Sequence, residues 1–213
     1  MEPLCLLRVV ACEFVLSACG IMALIYSYSY LLNYCSRLLW YSYGDGVNGD
    51  IVSESSPTCD PETNPRAARL IRAEKACLKH GGCCLRLAGL YSLERGAHNY
   101  WLTSGKDVMG RPDGILNLLH YDDAAAACLA AVNAGSEVVK GKVFLVSDGN
   151  PTTRKGICES AMKAKVYSDA TMPSFLGNES DPKGKVYDGS VTNAALKWKP
   201  KHASFDEYMS SQS

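Results

Sequence analysis

The segment GLYSLER, Gly89 to Arg95, sets a carboxylate, Glu94, beside a guanidinium, Arg95, just past a short apolar run. That run, Cys83 to Ala88, is apolar except at Arg86 and is bounded by Gly82 and Gly89. Such a stretch suits a strand buried on both faces, and therefore a parallel sheet. Open α/β sheets bind ligands beyond the carboxyl ends of their strands, so Gly89 to Arg95 is the first place to expect binding chemistry. A plain strand-to-loop connection has the same pattern.

The cysteines carry no comparable signal. There are ten, scattered and without a C-x-x-C pair, and Cys5, Cys12, Cys19 and Cys35 fall in the apolar N-terminal segment. Neither a zinc site nor a disulfide framework is indicated, so no metal is expected and a reducing compartment is. Adjacent Cys83 and Cys84 read as small buried hydrophobes on opposite faces of a strand. With 22 basic and 22 acidic residues the net charge is zero, which leaves no basic field to hold nucleic acid.

The elements that must position these residues alternate along the chain. At 213 residues there is room for one domain with a sizeable core, or a domain with an appendage. LLWYSYGDGVNGDIV runs from an apolar strand into a loop marked by Gly44, Gly46 and Gly49. NPRAARLIRAEKACLKHGG predicts a helix with Asn64 as N-cap, Pro65 in the first position and Gly81 as terminator. A strand is predicted from Ile115 to Leu119, then a turn at His120 and an Ala-rich helix capped by Asp122 or Asp123. Another strand covers Lys142 to Val146, followed by a helix from Thr152 or Thr153. A short strand, a helix around Asn193 to Trp198, and a last helix with Ser204 and Glu207 as a capping box complete an α/β pattern.

Residues 1–37 do not match the rest. Phe14 to Ser36 carry no charge, are bracketed by Glu13 and Arg37, and are long enough to span a bilayer. The second half, YSYSYLLNYC, has the Tyr and Ser content of an interfacial or strand-like segment. The first 37 residues therefore read as an apolar leader, a membrane segment or a buried strand, and residues 38–213 as the folded domain.

Five segments in order carry a family resemblance: Tyr43-Gly44-Asp45, RLAGLY, NLLHYDDAA, VFLVSDGNP and VTNAALKWKPKHASFDEY. Together, over about Leu38 to Met209, they resemble the extended short-chain dehydrogenase/reductase family, and within it the NAD-dependent epimerase/dehydratase group with its atypical plant and bacterial members. The resemblance implies a partial Rossmann-like parallel sheet with the C-terminal substrate-binding portion of that family. It implies an NAD(P)-dependent epimerase-, dehydratase- or reductase-like protein, truncated or catalytically impaired, acting on a small molecule such as a nucleotide sugar. The alternative is a non-catalytic binding or interaction protein that keeps the half-fold. The location implied is the cytoplasm or a plastid, with membrane association through residues 14–36 as the alternative.

The resemblance also assigns roles. Gly89 and Tyr91 fall where the family contacts NAD or NADP, and Tyr43 is the nearest phenol for catalysis. Arg86, Arg95 and Arg111 are the candidates to grip a diphosphate-linked substrate bidentately. His120 and Asp123 match the family's His-Val-Asp-Asp turn, where the carboxylate caps a helix and braces a strand.

Departures from the family pattern limit the chemistry. No G-x-x-G-x-x-G turn is present to cradle a pyrophosphate at a helix N-terminus, so cofactor binding is expected to be weak or absent. The catalytic Tyr and Lys positions, aligned through Glu74, hold Arg66 and Leu70. Arginine cannot be deprotonated at physiological pH and leucine has no charge to offer. Where the family continues Gly-Pro-Gly-Arg, this chain reads Ser92-Leu93-Glu94-Arg95 and keeps only the arginine. A half-sheet would also expose one edge, so self-association is expected.

Overall fold

The computed structural model describes Tyr43 and residues 48–213. The chain is α/β. Strand β1 (Asp50–Val52) precedes helix α1 (Pro65–Lys79), then β2 (Cys84–Leu87), β3 (Gly89–Tyr91) and α2 (Ala97–Thr103). Next come β4 (Ile115–Leu116), β5 (Leu118–His120), α3 (Tyr121–Asn133), α4 (Ser136–Val139), β6 (Val143–Val146), β7 (Thr152–Thr153) and α5 (Arg154–Ala161). Strand β8 (Lys185–Tyr187) and helices α6 (Ser190–Leu196) and α7 (Phe205–Ser210) close the chain.

Helix α1 forms as its sequence dictates. The Asn64 side chain accepts a hydrogen bond from Ala67 N, Pro65 occupies the first turn, and the chain leaves through Gly81 at φ 74°. Its apolar residues Ala67, Leu70, Ile71 and Cys77 are buried. The strand predicted on β2 is buried along its whole length, which explains its continuous apolar run. Cys83 and Cys84 are both buried.

Three strand pairs are parallel: β1 with β8, β2 with β6, and β3 with β5. The last two pairs join into one arrangement, because Ala88 N donates to Val146 O and Gly89 N donates to Asn117 O. The chain thus changes neighbour between Ala88 and Gly89, and Asp148 N completes the crossover by donating to Leu118 O. A Cβ on Gly89 would stand 3.2 Å from Asn117 O, so the crossover favours glycine. Two buried clusters flank these strands. One, around Leu87, Leu119, Leu145 and Trp198, packs α3 and α6 on the sheet; the other, around Tyr91, Ile157 and Phe205, packs α5 and α7.

Several sequence expectations change. Gly89 to Tyr91 is strand, not loop, since it continues the β2 chain onto β5. The strand expected over Ile115 to Leu119 is two strands broken at Asn117, whose side chain turns to β8: Asn117 Nδ2 donates to Lys185 O at 2.8 Å and its Oδ1 accepts from Tyr187 N at 2.9 Å. Helix α3 is capped by His120, which accepts from Asp122 N, and not by either aspartate; both sit in its first turn. Helix α5 starts after Thr153 and α7 after Ser204, each hydroxyl accepting from an amide three residues on.

The far side of β6 is covered by α6. Leu145 N donates to Thr192 Oγ1 on α6, and Gly189 lies against Leu145 O. Residues 14–36 lie outside the described residues; among the described ones no helix is long and apolar enough to cross a membrane.

Candidate binding site at the strand ends

Arg86 is the one charged residue of β2, and it is buried against Glu74 of α1. Its Nε donates to Glu74 Oε1 at 3.1 Å and its Nη2 to Oε2 at 2.7 Å, a bidentate clasp between helix and strand. Nη1 donates to Tyr43 Oη at 2.6 Å, and the guanidinium lies 4.8 Å from the Tyr43 ring centroid. Burial works against the arginine's charge, yet Glu74 holds it firmly protonated. Burial also raises the Tyr43 phenol above its ordinary value, with Arg86 opposing. Of the sequence candidates, the structure therefore brings Tyr43 and Arg86 together and faces them inward.

Beyond the carboxyl ends of β3 and β5 stands a second polar group. Tyr91 and His120 are register partners, their rings 5.2 Å apart, and Tyr91 also packs on Phe205 and Tyr208 of α7. The Tyr91 hydroxyl is buried with no hydrogen-bond partner among the described residues, and burial together with Asp148 raises its pKa well above the usual phenol range. His202 approaches from the segment before α7, its ring centroid 4.1 Å from that of His120. Buried Asp123 fixes that segment by accepting from Lys201 N at 2.6 Å and His202 N at 3.0 Å. The carboxylate matched to the family turn thus braces the chain ahead of α7. Asp148, at the end of β6, is buried, and burial pushes its carboxyl up to about 7.

The rim loop is held from below. Leu93 O accepts from His98 Nε2 at 2.9 Å and from the Tyr167 hydroxyl at 2.9 Å, while Ser92 and Arg95 close a tight turn through their backbones. Glu94 and Arg95 remain exposed, with the Arg95 guanidinium 5.9 Å from the Tyr121 ring centroid. Arg111 is elsewhere engaged. It is clasped to Asp113, and its Nη1 donates to Glu179 O and Asp181 O, which joins the 110–114 turn to the 177–184 loop. Gly89 supplies the strand crossover described above.

Sequence reasoning missed Asp148, His202, His98 and Tyr167. Asp148 lay inside the quoted VFLVSDGNP segment, but nothing in a polar turn distinguishes a buried carboxylate from a solvated one. His202 lies 82 positions from His120, since 202 − 120 = 82, so their meeting is a property of the topology.

A nicotinamide dinucleotide would need a glycine turn opening a helix to receive its pyrophosphate, and the described residues provide none. Leu70, which the resemblance sets at the position of a catalytic lysine, is 2% exposed and packs in the core. The described residues therefore do not fit the cofactor's phosphate end.

Comparison with known proteins gives a fold. No protein-family model matches the chain, and no curated protein matches it. Among solved structures, it is similar to UDP-glucuronic acid 4-epimerase from Bacillus cereus in complex with NAD, with TM-score 0.64 and 16% identity over 81% of this chain and 56% of that one. It is also similar to UDP-glucose 4-epimerase from Thermotoga maritima, with TM-score 0.57 and 20% identity over 79% and 57%. A third is dTDP-glucose 4,6-dehydratase from Bacillus anthracis in complex with NAD, with TM-score 0.60 and 15% identity over 90% and 63%. The chain spans rather more than half the length of these proteins. Its fold is a partial Rossmann-like α/β fold of the kind they contain.

Proposed function

We propose that this chain is a catalytically impaired relative of the NAD-dependent epimerases and dehydratases, one that holds a nucleotide sugar at its strand ends without turning it over. The fold shared with those enzymes supports the substrate class; one of the similar structures holds UDP-glucuronic acid and NAD together. The observation that carries the impairment is Leu70, buried in α1 where the family's lysine would lower the pKa of the catalytic phenol. Tyr43 does not replace that phenol, because burial raises its pKa and its oxygen is bonded to Arg86. Arg95 on the exposed rim turn is the residue assigned to the diphosphate.

Calorimetric titration with UDP-glucuronic acid, and separately with NAD, tests the reading. The sugar nucleotide is expected to bind, Arg95→Ala to weaken it by about tenfold, and no epimerised product to form when NAD is added. Measurable turnover, or sugar-nucleotide binding indifferent to Arg95→Ala, would overturn it. A second reading, a non-catalytic interaction protein, is favoured by Met109 and Leu176. These large apolar residues are more than half exposed on neighbouring segments bridged through Val108 and Phe175.

A further inference from the structure

The group beyond β5 has a donor set that the nucleotide-sugar reading does not use. His120, Asp122 and His202 offer two imidazole nitrogens and a carboxylate oxygen that all lie within 4.8 Å of one another. Asp122 Oδ2 stands 3.7 Å from His120 Nδ1 and 3.9 Å from His202 Nε2. We propose that these three residues form a binding site for a first-row divalent cation, zinc foremost.

Two imidazoles and one carboxylate are an established class of donor for such ions, and three protein ligands leave one position for water. A tetrahedral ion with bonds of about 2.1 Å keeps its ligands about 3.4 Å apart. The two separations from Asp122 exceed that by a few tenths of an ångström, which rotation of its side chain closes, and the two imidazole nitrogens lie within 4.8 Å of each other. That side chain is 73% exposed and gives the ion its way in. The two imidazoles are positioned in advance. His120 is held between the rings of Tyr91 and Tyr208, and His202 is fixed through its backbone amide by buried Asp123.

The independent observation is a missing partner. Among the described residues, the His202 Nε2 atom is buried and has no hydrogen-bond partner. A buried polar atom without a partner calls for an ion or a water. The His120 Nδ1 lone pair now accepts from Asp122 N at 3.1 Å. A bound cation takes the place of that N–H, and the amide, in the exposed first turn of α3, turns to water. Asp122 is the only carboxylate of the three ligands, so the bound site carries a net positive charge that buried Asp123 nearby offsets.

Cobalt(II) titration of the full chain tests the site, because cobalt reports its own coordination. The expected result is one equivalent bound at micromolar concentration, with visible ligand-field bands of a low-coordinate nitrogen and oxygen site and no sulfur charge-transfer absorption in the near ultraviolet. Zinc should abolish the bands by displacement. His202→Gln should remove them, and Asp122→Asn should weaken cobalt binding by about tenfold or more. The exposed Asp122 side chain holds no backbone amide, so that variant keeps the test valid if His202→Gln fails to fold. Absence of the bands, sulfur charge-transfer absorption, or binding unchanged in Asp122→Asn would overturn the proposal.

Discussion

Glu74 on α1 receives the Arg86 guanidinium from β2 through both carboxylate oxygens, and the two residues are 4% and 5% exposed. A charge pair that deep lies between a helix and the strand it covers, where either charge alone would be left without water. Removing one partner is therefore far worse than removing both. Glu74→Ala is expected to destabilise the chain by about 3–5 kcal/mol, and Glu74→Leu combined with Arg86→Met to recover most of that loss. Urea unfolding of the two variants measures it. Equal losses in both would mean that helix packing, not the charge, decides.

Asp148 makes stability depend on pH. Burial, with Asp123 adding to it and the Asn150 amide opposing, pushes its carboxyl up to about 7 in the folded chain, against about 4 unfolded. As pH rises from about 4 the unfolded chain releases this proton first, so stability falls by up to about 1.4 kcal/mol per pH unit until about pH 7 and levels off above. Asp148→Asn removes the ionisation. Its advantage over the parent chain should be small at pH 4 and grow to pH 8, read from unfolding curves at each pH. Parallel profiles for the two proteins would refute the assignment.

How far the sequence could be read follows from where its information is local. Asn64, Pro65 and Gly81 settle α1 because caps act on amides a few residues away, and the run through β2 settles a buried strand because both faces need apolar side chains. The chain's change of neighbour at Gly89 was not legible, since it depends on β5 and β6 lying side by side. Arg86 looked like a ligand for an anion and is satisfied within the fold, because its partner Glu74 faces it from a helix twelve positions earlier, 86 − 74 = 12. Asp122 and Asp123 both looked like caps; the cap is a histidine, whose Nδ1 accepts as well as a carboxylate oxygen does.

Gly177 is expected to tolerate no side chain. A Cβ there would overlap the backbone of Gly110 and Arg111, and Gly177 N already donates to Gly110 O at 3.1 Å. Gly177→Ala must push apart the loops that Arg111 ties together. We expect a loss of about 1–3 kcal/mol, read as a lower Tm by calorimetry. The Arg111→Ala variant should lose part of the same contact, so the double variant should cost less than the sum of the two. Full additivity would show that the loops are held elsewhere.

Asn117 does the work of a strand neighbour with a side chain. Its amide donates to Lys185 O and accepts from Tyr187 N, so it satisfies two main-chain groups of β8 at the point where β4 gives way to β5. The side chain has the same donor and acceptor as a peptide unit, and no residue other than glutamine shares that pair. Asn117→Ala leaves the Lys185 carbonyl and the Tyr187 amide without this partner, at about 1–3 kcal/mol. Asn117→Asp should be worse near neutral pH, because a carboxylate still accepts from Tyr187 N but sets a negative oxygen against Lys185 O. Thermal unfolding ranks the two variants, and amide hydrogen exchange locates the damage: Tyr187 N–H should exchange faster in Asn117→Ala while the β2 amides keep their protection. Unchanged exchange at Tyr187 would show that β8 is held by β1 alone.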